Sequence, residues 1–501
     1  MSSTTANPVR EATTELTRRS GVELAAAIRS GETTSRAVVE AHIEAIERDG
    51  ANRRINAIVA KRFEAALAEA DAADAAVAAA ATEPDRAELP PLLGVPCTIK
   101  ESFAVAGLPN ASGLSARRDL RPTDSATAVQ RLIGAGAIPL GVTNTSELTL
   151  WIESQNPVYG RTNNAYDPRR TAGGSSGGEG AAIGCGFAPF GIGTDFGGSV
   201  RLPAFFNGVF GHKPSAFLVS AAGHYPVPNE EGAKLLGIGP LARRADDLWP
   251  VLSAIAGPDD ADPTTTEIAL GDPQAVSIEG LRVVISDDAT MVPFSLELRN
   301  ARIHAARALA EAGADVHRVS LPSLRTVIQP YLTAVRDSGG LREMLTEDGT
   351  ELPRFGRLLA DAVRRRGSYT APILFTLGAE NVSSLVPAAV DRRFAAAGRE
   401  LAERVAEAVG DGVLLHPPFA RVAPRHGATV GRPWVLAPMA LFNLLGMPAT
   451  EVPLGLNERG LPLGVQVAAA HGNDHLTIAV ARELERAFGG WVPPKVAQAI
   501  S

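Results

Sequence analysis

The chain has 501 residues, of which 45% are hydrophobic and 21% are charged, values typical of an ordinary soluble globular protein long enough for two or three domains. Its formal net charge of −7 gives no general attraction to nucleic acid or to an anionic membrane surface. Its two cysteines, Cys97 and Cys185, exclude a disulfide framework and a zinc site made of cysteines alone.

The sequence also predicts where the protein works. Residues 1–21 contain no apolar core of a secretory signal. No run of about 18 consecutive apolar residues free of Gly, Pro and charge occurs, so no transmembrane helix is predicted. We therefore expect a cytoplasmic protein without a transmembrane anchor.

Helices and strands alternate along the first part of the chain. The hydrophobic pattern predicts a helix over 34–49 that begins at Thr34 or Ser35. The residues that share its buried face are Val38, Val39, His42 and Ile46. The elements predicted next are an Ala-rich helix over 61–81, a strand over 94–100, a capped helix over 124–136 with Val129, Leu132 and Ile133 on one face, and a strand over 137–144.

The same alternation returns later in the chain. The predicted elements are strands over 281–286 and 314–319 on either side of a helix near 296–313, strands over 413–418, 449–455 and 464–470, and a closing helix near 473–488. Residues 325–408 are predicted to be mostly helical. This order of elements predicts an α/β fold.

The stretch GGSSGGEGAAIGCGFAPFGIGTDFGGSVR, residues 173–201, holds 11 glycines and three serines, Ser175, Ser176 and Ser199. Glycine lets backbone N–H groups turn toward a ligand. A phosphate-binding loop needs a lysine or a third glycine at a fixed spacing, and Pro189 and Phe196 stand where that glycine is required.

A second interpretation is an α/β-hydrolase elbow. Residues 173–177 match G-x-S-x-G with Ser175 as the nucleophile. Such a site also needs a later histidine, for which the candidates are His416, His426, His471 and His475.

A third interpretation uses all three serines. Consecutive amides at Phe196, Gly197, Gly198 and Ser199 converge as an oxyanion hole, Ser199 attacks, and a second serine passes the proton. Lys100 ends an otherwise uncharged strand and is the candidate base, because burial lowers the pKa of a lysine toward neutrality.

Residues 171–201 closely resemble the amidase signature, which joins GGSSGG to a [ST]D-x-GGS-[IV]-R block and has a lysine upstream in a GVP-x-x-x-K strand. Residues 124–148 and 156–171 resemble the units that precede the signature in that family. Residues 442–491, and the GGEGA after the two serines, resemble the fatty-acid amide hydrolase branch.

The resemblance implies an α/β amidase-signature fold, in which helices flank a central mixed sheet on both sides, and a Ser-Ser-Lys site that needs no cofactor and no metal. Ser199 then matches the nucleophile, Ser175 a bridging serine held by a cis peptide bond, and Lys100 the base. The remaining residues implied for the site are Ser176 as a support of the lysine, Asp195 and Arg201 as supports of the nucleophile loop, Thr194 as a further supporting residue, and the amides of 196–199 as the oxyanion hole. By their position in the chain, Thr149 and Trp151 are expected at the substrate pocket.

The resemblance also divides the chain into four segments. These are an N-terminal helical segment (1–80), a signature core with the catalytic residues (81–256), a variable, largely helical substrate-pocket region (257–430) and C-terminal core strands with a helix (431–501).

The predicted function is hydrolysis of a linear carboxamide with an apolar acyl or aryl group. A small amide is the expected partner, and a homodimer is expected because the family often forms one. The alternatives are a glutaminase of the type found in glutamyl-tRNA amidotransferase and a catalytically silent scaffold on the same fold.

Overall fold

The computed structural model describes residues 15–80, 82–286, 291–346, 352–364, 368–383 and 387–494. The strands in these ranges are β1 (Ile58–Lys61), β2 (Pro96–Lys100), β3 (Ile138–Thr143), β4 (Gln155–Asn156), β5 (Gly160–Arg161), β6 (Phe190–Asp195), β7 (Phe210–Lys213), β8 (Gly237–Ala242), β9 (Arg282–Ser286), β10 (Asp315–Val319), β11 (Val413–His416), β12 (Ala449–Leu456) and β13 (Pro462–Ala469).

The helices of the first half are α1 (Gly21–Ser30), α2 (Ser35–Glu47), α3 (Ala51–Ile55), α4 (Phe63–Ala79), α5 (Glu83–Ala87), α6 (Thr127–Gly134), α7 (Gly177–Gly184), α8 (Arg201–Phe206), α9 (Glu230–Ala233) and α10 (Leu248–Ile255). Those of the second half are α11 (Leu296–Glu311), α12 (Ile328–Asp337), α13 (Leu341–Thr346), α14 (Phe355–Val363), α15 (Ala371–Ser383), α16 (Ala388–Val409), α17 (Ala437–Leu444) and α18 (Asp474–Phe488). Within the described part of the chain, no helix has both the length and the apolar composition to cross a lipid bilayer.

One 11-stranded sheet runs through the molecule in the order β1-β3-β2-β6-β8-β7-β12-β13-β11-β9-β10. Strand β2 is parallel to β3 and β6, and β9 is parallel to β10 and β11. The other pairs in the sheet are antiparallel. The predicted mixed sheet is therefore confirmed.

Helices cover both faces of this sheet. Neighbouring side chains on a strand point to opposite faces, and on β9 Val283 and Ile285 belong to one hydrophobic cluster whereas Val284 belongs to another. The first cluster includes residues of α6, α10, α11 and α18, and the second includes residues of α16 and α17. The predicted arrangement of helices on both sides is thus confirmed.

The predicted helices and strands are all present, and their ends differ from the predicted ones by no more than three residues. Thr34 caps α2 by accepting a hydrogen bond from the amide of Ala37, and residues 325–408 are mostly helical. Two details of α6 were predicted wrongly. Ile133 is 40% exposed instead of buried, and the helix begins after Ala126 without a side-chain cap.

All four predicted segments contribute strands to the one sheet. The segment 1–80 supplies β1 at the edge beside β3, and the segment 257–430 supplies β9, β10 and β11. Residues 1–14, on which most of the signal-peptide prediction was based, lie outside the described residues. The four-segment division stays a prediction.

Helix α7 lies against the end of β3 with almost no space between the two backbones. The amide of Gly178 donates a 3.0 Å hydrogen bond to the carbonyl of Asn144, and a Cβ at position 178 would lie 2.5 Å from that carbonyl oxygen. Backbone atoms cannot yield as a flexible side chain can, so only glycine fits at position 178.

We predict that Gly178→Ala lowers the free energy of unfolding by about 1–3 kcal/mol because it overpacks this contact. The matched control is Gly356→Ala, since Gly356 also lies in a helix but has open space around its Cα. That change should be neutral or stabilise the protein by up to about 1 kcal/mol. Urea unfolding of both variants checks the prediction, and a Gly178→Ala protein as stable as the control would contradict it.

Candidate active site

Lys100 is the last residue of β2, and its side chain is fully buried. Its Nζ lies 2.7 Å from Ser175 Oγ and 2.7 Å from Thr194 Oγ1. Strands β2 and β6 are parallel neighbours, so their carboxyl ends meet at one edge of the sheet, where Lys100 and Thr194 stand side by side. The sheet topology therefore brings the predicted base to Thr194, and the turn before α7 adds the predicted bridging serine, Ser175.

The surroundings of Lys100 place its pKa in the neutral range. Burial lowers the pKa of Lys100 to about 7, because the ammonium loses its hydration. The charges of Asp195, Glu179 and Glu101 act in the opposite direction. A large fraction of Lys100 is consequently the neutral amine near pH 7, the form that accepts a proton.

Ser175 is held in its place through its backbone. The Gly174–Ser175 peptide bond is cis, as the resemblance implied. The Ser175 carbonyl accepts hydrogen bonds from Ser154 Oγ at 2.9 Å and from the amide of Ser146 at 3.3 Å. The Ser175 hydroxyl is thereby left to face Lys100.

The loop that carries Ser199 is organised around the carboxylate of Asp195. This carboxylate accepts hydrogen bonds from the amides of Gly198 at 2.6 Å and Val200 at 3.1 Å. The amide of Gly198 is thus engaged inside the loop, contrary to its predicted place in the oxyanion hole. The amides of Phe196, Gly197 and Ser199 are left as the candidate donors.

Arg201 anchors this loop to the C-terminal part of the sheet. Its guanidinium forms a fully buried ion pair with Asp195, in which Nε lies 3.0 Å from Oδ2, and the positive charge helps to hold the pKa of Asp195 below its usual range. The guanidinium also donates to the Asn443 and Gln466 side chains at 2.7 and 2.6 Å. Asp195 and Arg201 thus hold the two ends of this loop together, and their supporting role stays a prediction.

Ser176 contacts Thr194 instead of Lys100. Its Oγ donates to the Thr194 carbonyl at 3.3 Å and accepts from the Thr194 amide at 3.4 Å. Because Thr194 Oγ1 in turn contacts Lys100, Ser176 reaches the lysine only through Thr194.

Two neighbouring cavities with shared walls lie beside Ser175 and Thr194. A small one of about 30 Å³ is lined by Thr149, Ser175, Thr194 and Phe196 among others. A larger one of about 300 Å³ has a mainly apolar lining, and the two share Leu150, Phe196 and Met344. Thr149 thus lines the small cavity, and its contact with substrate stays a prediction.

Trp151 lies elsewhere than predicted. Its indole Nε1 donates to Thr429 Oγ1 at 3.0 Å, and its ring packs edge-on against Phe375. Trp151 itself belongs to a buried hydrophobic cluster with Phe205 and Met439. The described lining of the two cavities does not include it. An apolar residue beside a functional loop is equally compatible with a pocket wall and with the hydrophobic core. Its position in the sequence therefore did not show which of the two locations Trp151 occupies.

Glu179 is a buried acidic group whose position the sequence reasoning missed. It accepts hydrogen bonds from the hydroxyls of Thr98 at 2.6 Å and Thr143 at 2.8 Å, and burial raises its pKa to about 7. The sequence did contain a sign of this position. Glu179 is the only charged residue in a helix otherwise made of Gly, Ala and Ile, and such a helix is expected to be buried.

The α/β-hydrolase interpretation does not agree with the geometry. The group that contacts Ser175 Oγ is Lys100. His416 pairs with the carbonyl of the adjacent Pro417, and His426 and His471 pair with carbonyls of other segments. In the ranges that the structure describes, no three His, Cys, Asp or Glu side chains come together in a way that could hold a metal ion.

Comparison with known proteins gives the same assignment over nearly the whole chain. The family model Amidase matches residues 37–478. Fatty-acid amide hydrolase 2 of Homo sapiens is 38% identical over 509 residues, covering 97% of this chain and 92% of that protein. A component of the glutamyl-tRNA(Gln) amidotransferase of Lachnospira eligens is 30% identical over 499 residues, covering 93% of this chain and 98% of that protein.

A solved structure agrees as well. That of 6-aminohexanoate cyclic dimer hydrolase complexed with substrate superposes with a TM-score of 0.80 at 26% identity, and covers 96% of this chain and 99% of that one. The chain belongs to the amidase family, the amidase-signature enzymes that hydrolyse amides, and its predicted similarity to the fatty-acid amide hydrolase branch is confirmed.

Proposed function

We propose that this enzyme hydrolyses linear carboxamides that carry an apolar acyl or aryl group, through an acyl-enzyme on Ser199 and a proton relay of Ser175 and Lys100. The observation that carries the proposal is the 2.7 Å contact between Lys100 Nζ and Ser175 Oγ in a fully buried site where the pKa of Lys100 is about 7. A neutral lysine there is a general base next to a hydroxyl.

The hydrogen bonds of the neutral amine fit this role. An uncharged lysine has two N–H donors and one lone pair. Donation to Thr194 Oγ1 uses one N–H and leaves the lone pair free to face Ser175 Oγ at 2.7 Å, whose hydroxyl proton it can accept. The amide of Ser176 donates to the Ser199 carbonyl at 3.2 Å, so the two serine-bearing turns are held together.

The proposed reaction then runs in two halves. Lys100 takes the proton of Ser175 as Ser175 takes that of Ser199, and Ser199 Oγ forms a bond to the amide carbonyl carbon. The negative oxygen is stabilised by the amides of Phe196, Gly197 and Ser199. The proton returns through Ser175 to the nitrogen, the C–N bond breaks, and the amine or ammonia leaves.

In the second half a water molecule replaces the amine. It loses its proton to the same relay as its oxygen bonds to the acyl carbon of the Ser199 ester. The bond from that carbon to Ser199 Oγ then breaks, the relay returns the proton to Ser199 Oγ, and the carboxylic acid leaves and ionises in solvent. Protonation of the leaving nitrogen is the demanding step of amide cleavage. Placing Ser175 between the base and the nucleophile puts a proton donor beside that nitrogen.

The acyl preference follows from the larger cavity. Its walls include Leu332, Val335, Leu341, Met344 and Phe394, so an apolar group entering from the catalytic serines loses contact with water. The relatives named fatty-acid amide hydrolase 2 support the same substrate class for this chain. A glutamine substrate would place a charged amino acid end against these side chains, which disfavours the amidotransferase alternative.

A panel of amides tests this function. We expect purified protein to release amine from alkanoyl and aryl anilides with a kcat/KM at least 10-fold above that for acetanilide, because each buried CH₂ contributes about 0.8 kcal/mol. Glutamine should release no ammonia. Ser199→Ala is the control and should abolish turnover. Glutaminase activity without anilide hydrolysis would support the amidotransferase alternative, and no turnover of any amide would support the silent scaffold.

A pH profile tests the state of Lys100. Since the neutral amine is the active form, kcat/KM for an uncharged amide should rise with pH through about 7 and reach a plateau above it. Below that value Lys100 already carries the proton that it must accept. Glu179→Gln keeps a side chain able to bond Thr98 and Thr143 but removes a negative charge that favours the ammonium, so the rise should move to lower pH. A profile that is flat between pH 5 and 9 would contradict Lys100 as the base.

A further inference from the structure

Helix α12 reaches the nucleophile loop through one polar contact. Tyr331, on this helix, is buried and donates its hydroxyl proton to the carbonyl of Phe196 at 3.2 Å. The hydroxyl stands so close to Gly197 that a Cβ at that position would collide with it. A residue of the helical substrate-pocket region thus fixes the loop from which the oxyanion donors project.

This contact determines the direction of one amide. In a trans peptide the C=O and N–H groups point to opposite sides. The cis bonds among the described residues are Gly174–Ser175 and Tyr225–Pro226, so the Phe196–Gly197 peptide is trans. With the Phe196 carbonyl held by Tyr331, the Gly197 N–H points away from α12. Gly197 is one of the three candidate oxyanion donors.

The neighbouring loop residue is fixed from another side. Met439, on α17, fills the space in which a Cβ of Gly198 would lie. Tyr331 itself packs against Ile328 of α12 and Ala440 of α17. The Gly197–Gly198 turn is therefore held between two helices, and Tyr331 supplies its polar contact from α12.

The same helix also lines the acyl cavity. Leu332, Val335 and Arg336 face the 300 Å³ cavity, and Phe196, whose carbonyl Tyr331 binds, lines both cavities. Leu332 is 44% exposed although it is apolar, so an acyl chain would cover it. A group in the cavity would touch α12 at the residue next to Tyr331, and the loop at Phe196.

We propose that Tyr331 is a positioning residue that orients the Gly197 amide for the oxyanion, and that filling of the cavity by an apolar acyl group tightens this contact. Binding of the acyl chain then raises kcat as well as affinity. The reason is that part of the binding energy stabilises the transition state and not only the bound substrate. This inference rests on the proposed function at Ser199.

Tyr331→Phe tests the inference, since it removes one hydroxyl and keeps the ring. Steady-state kinetics on anilides of increasing acyl length would be measured with the full chain, together with the inhibition constant of an alkyl trifluoromethyl ketone, which forms an oxyanion adduct with a serine. Removing one oxyanion donor lowers kcat by about 10²–10³-fold, and misplacing one should cost part of that factor. We therefore expect kcat to fall about 10- to 100-fold with KM changed less than about twofold. The inhibition constant should rise by a similar factor, and the rise of kcat with acyl length seen in the wild type should disappear.

The matched control is Tyr166→Phe, because Tyr166 is a partly buried tyrosine whose hydroxyl also donates to a backbone carbonyl, that of Val492. It should show a similar loss of thermal stability with unchanged kcat. A Tyr331→Phe enzyme with wild-type kcat and inhibitor affinity, or with only KM raised, would overturn the inference while leaving the proposed function intact. A wild-type protein that neither hydrolyses the anilides nor binds the ketone would overturn both.

Discussion

A lysine side chain taken completely out of water is the constraint on which the rest of the site depends. Burial disfavours the ammonium form of Lys100, and the charges of Asp195, Glu179 and Glu101 favour it, with the balance leaving the pKa at about 7. If the negative charges fully offset the effect of burial, Lys100 would stay charged at neutral pH and could not accept a proton. If no negative charge offset it, the pKa of Lys100 would be so low that the amine would be too weak a base to take a proton from a serine.

The fold supplies both sides of this balance. Strand β2 carries Lys100 into the interior, and its parallel neighbours β3 and β6 bring Thr143 and Thr194 to the same edge of the sheet. Helix α7 then places Glu179 close enough to Lys100 for its charge to act on the lysine, and the hydroxyls of two strands hold its carboxyl group. The close packing of α7 on β3 is what permits this, so the glycines of the helix matter for the position of a carboxylate as well as for backbone contact.

The sequence predicted the fold class, the regular elements and the pair of Lys100 and Ser175, because hydrophobic periodicity is local and the signature block is contiguous. It did not predict that Thr194, and not Ser176, is the second group in contact with Lys100. It could not predict which way the Gly198 amide points, since that depends on the Asp195 carboxylate folding back over its own loop. Trp151 was misplaced for a similar reason, because only its partner Thr429, far along the chain, shows that it belongs to the core. The role of Tyr331 gave no local signal at all, since it lies in a helical stretch with no motif.

The Ser-Ser-Lys relay is best tested by treating the protein with a fluorophosphonate. Intact-mass and peptide-level mass spectrometry then give the rate of labelling and the serine that is labelled. Wild type, Lys100→Ala and the surface control Lys61→Ala would be compared. We expect one adduct per chain, on Ser199. In Lys100→Ala it should form on the order of 10²-fold more slowly than in the wild type, or slower still. In Lys61→Ala it should form at the wild-type rate. An adduct on Ser175, or labelling of Ser199 that does not depend on Lys100, would contradict the Ser-Ser-Lys relay.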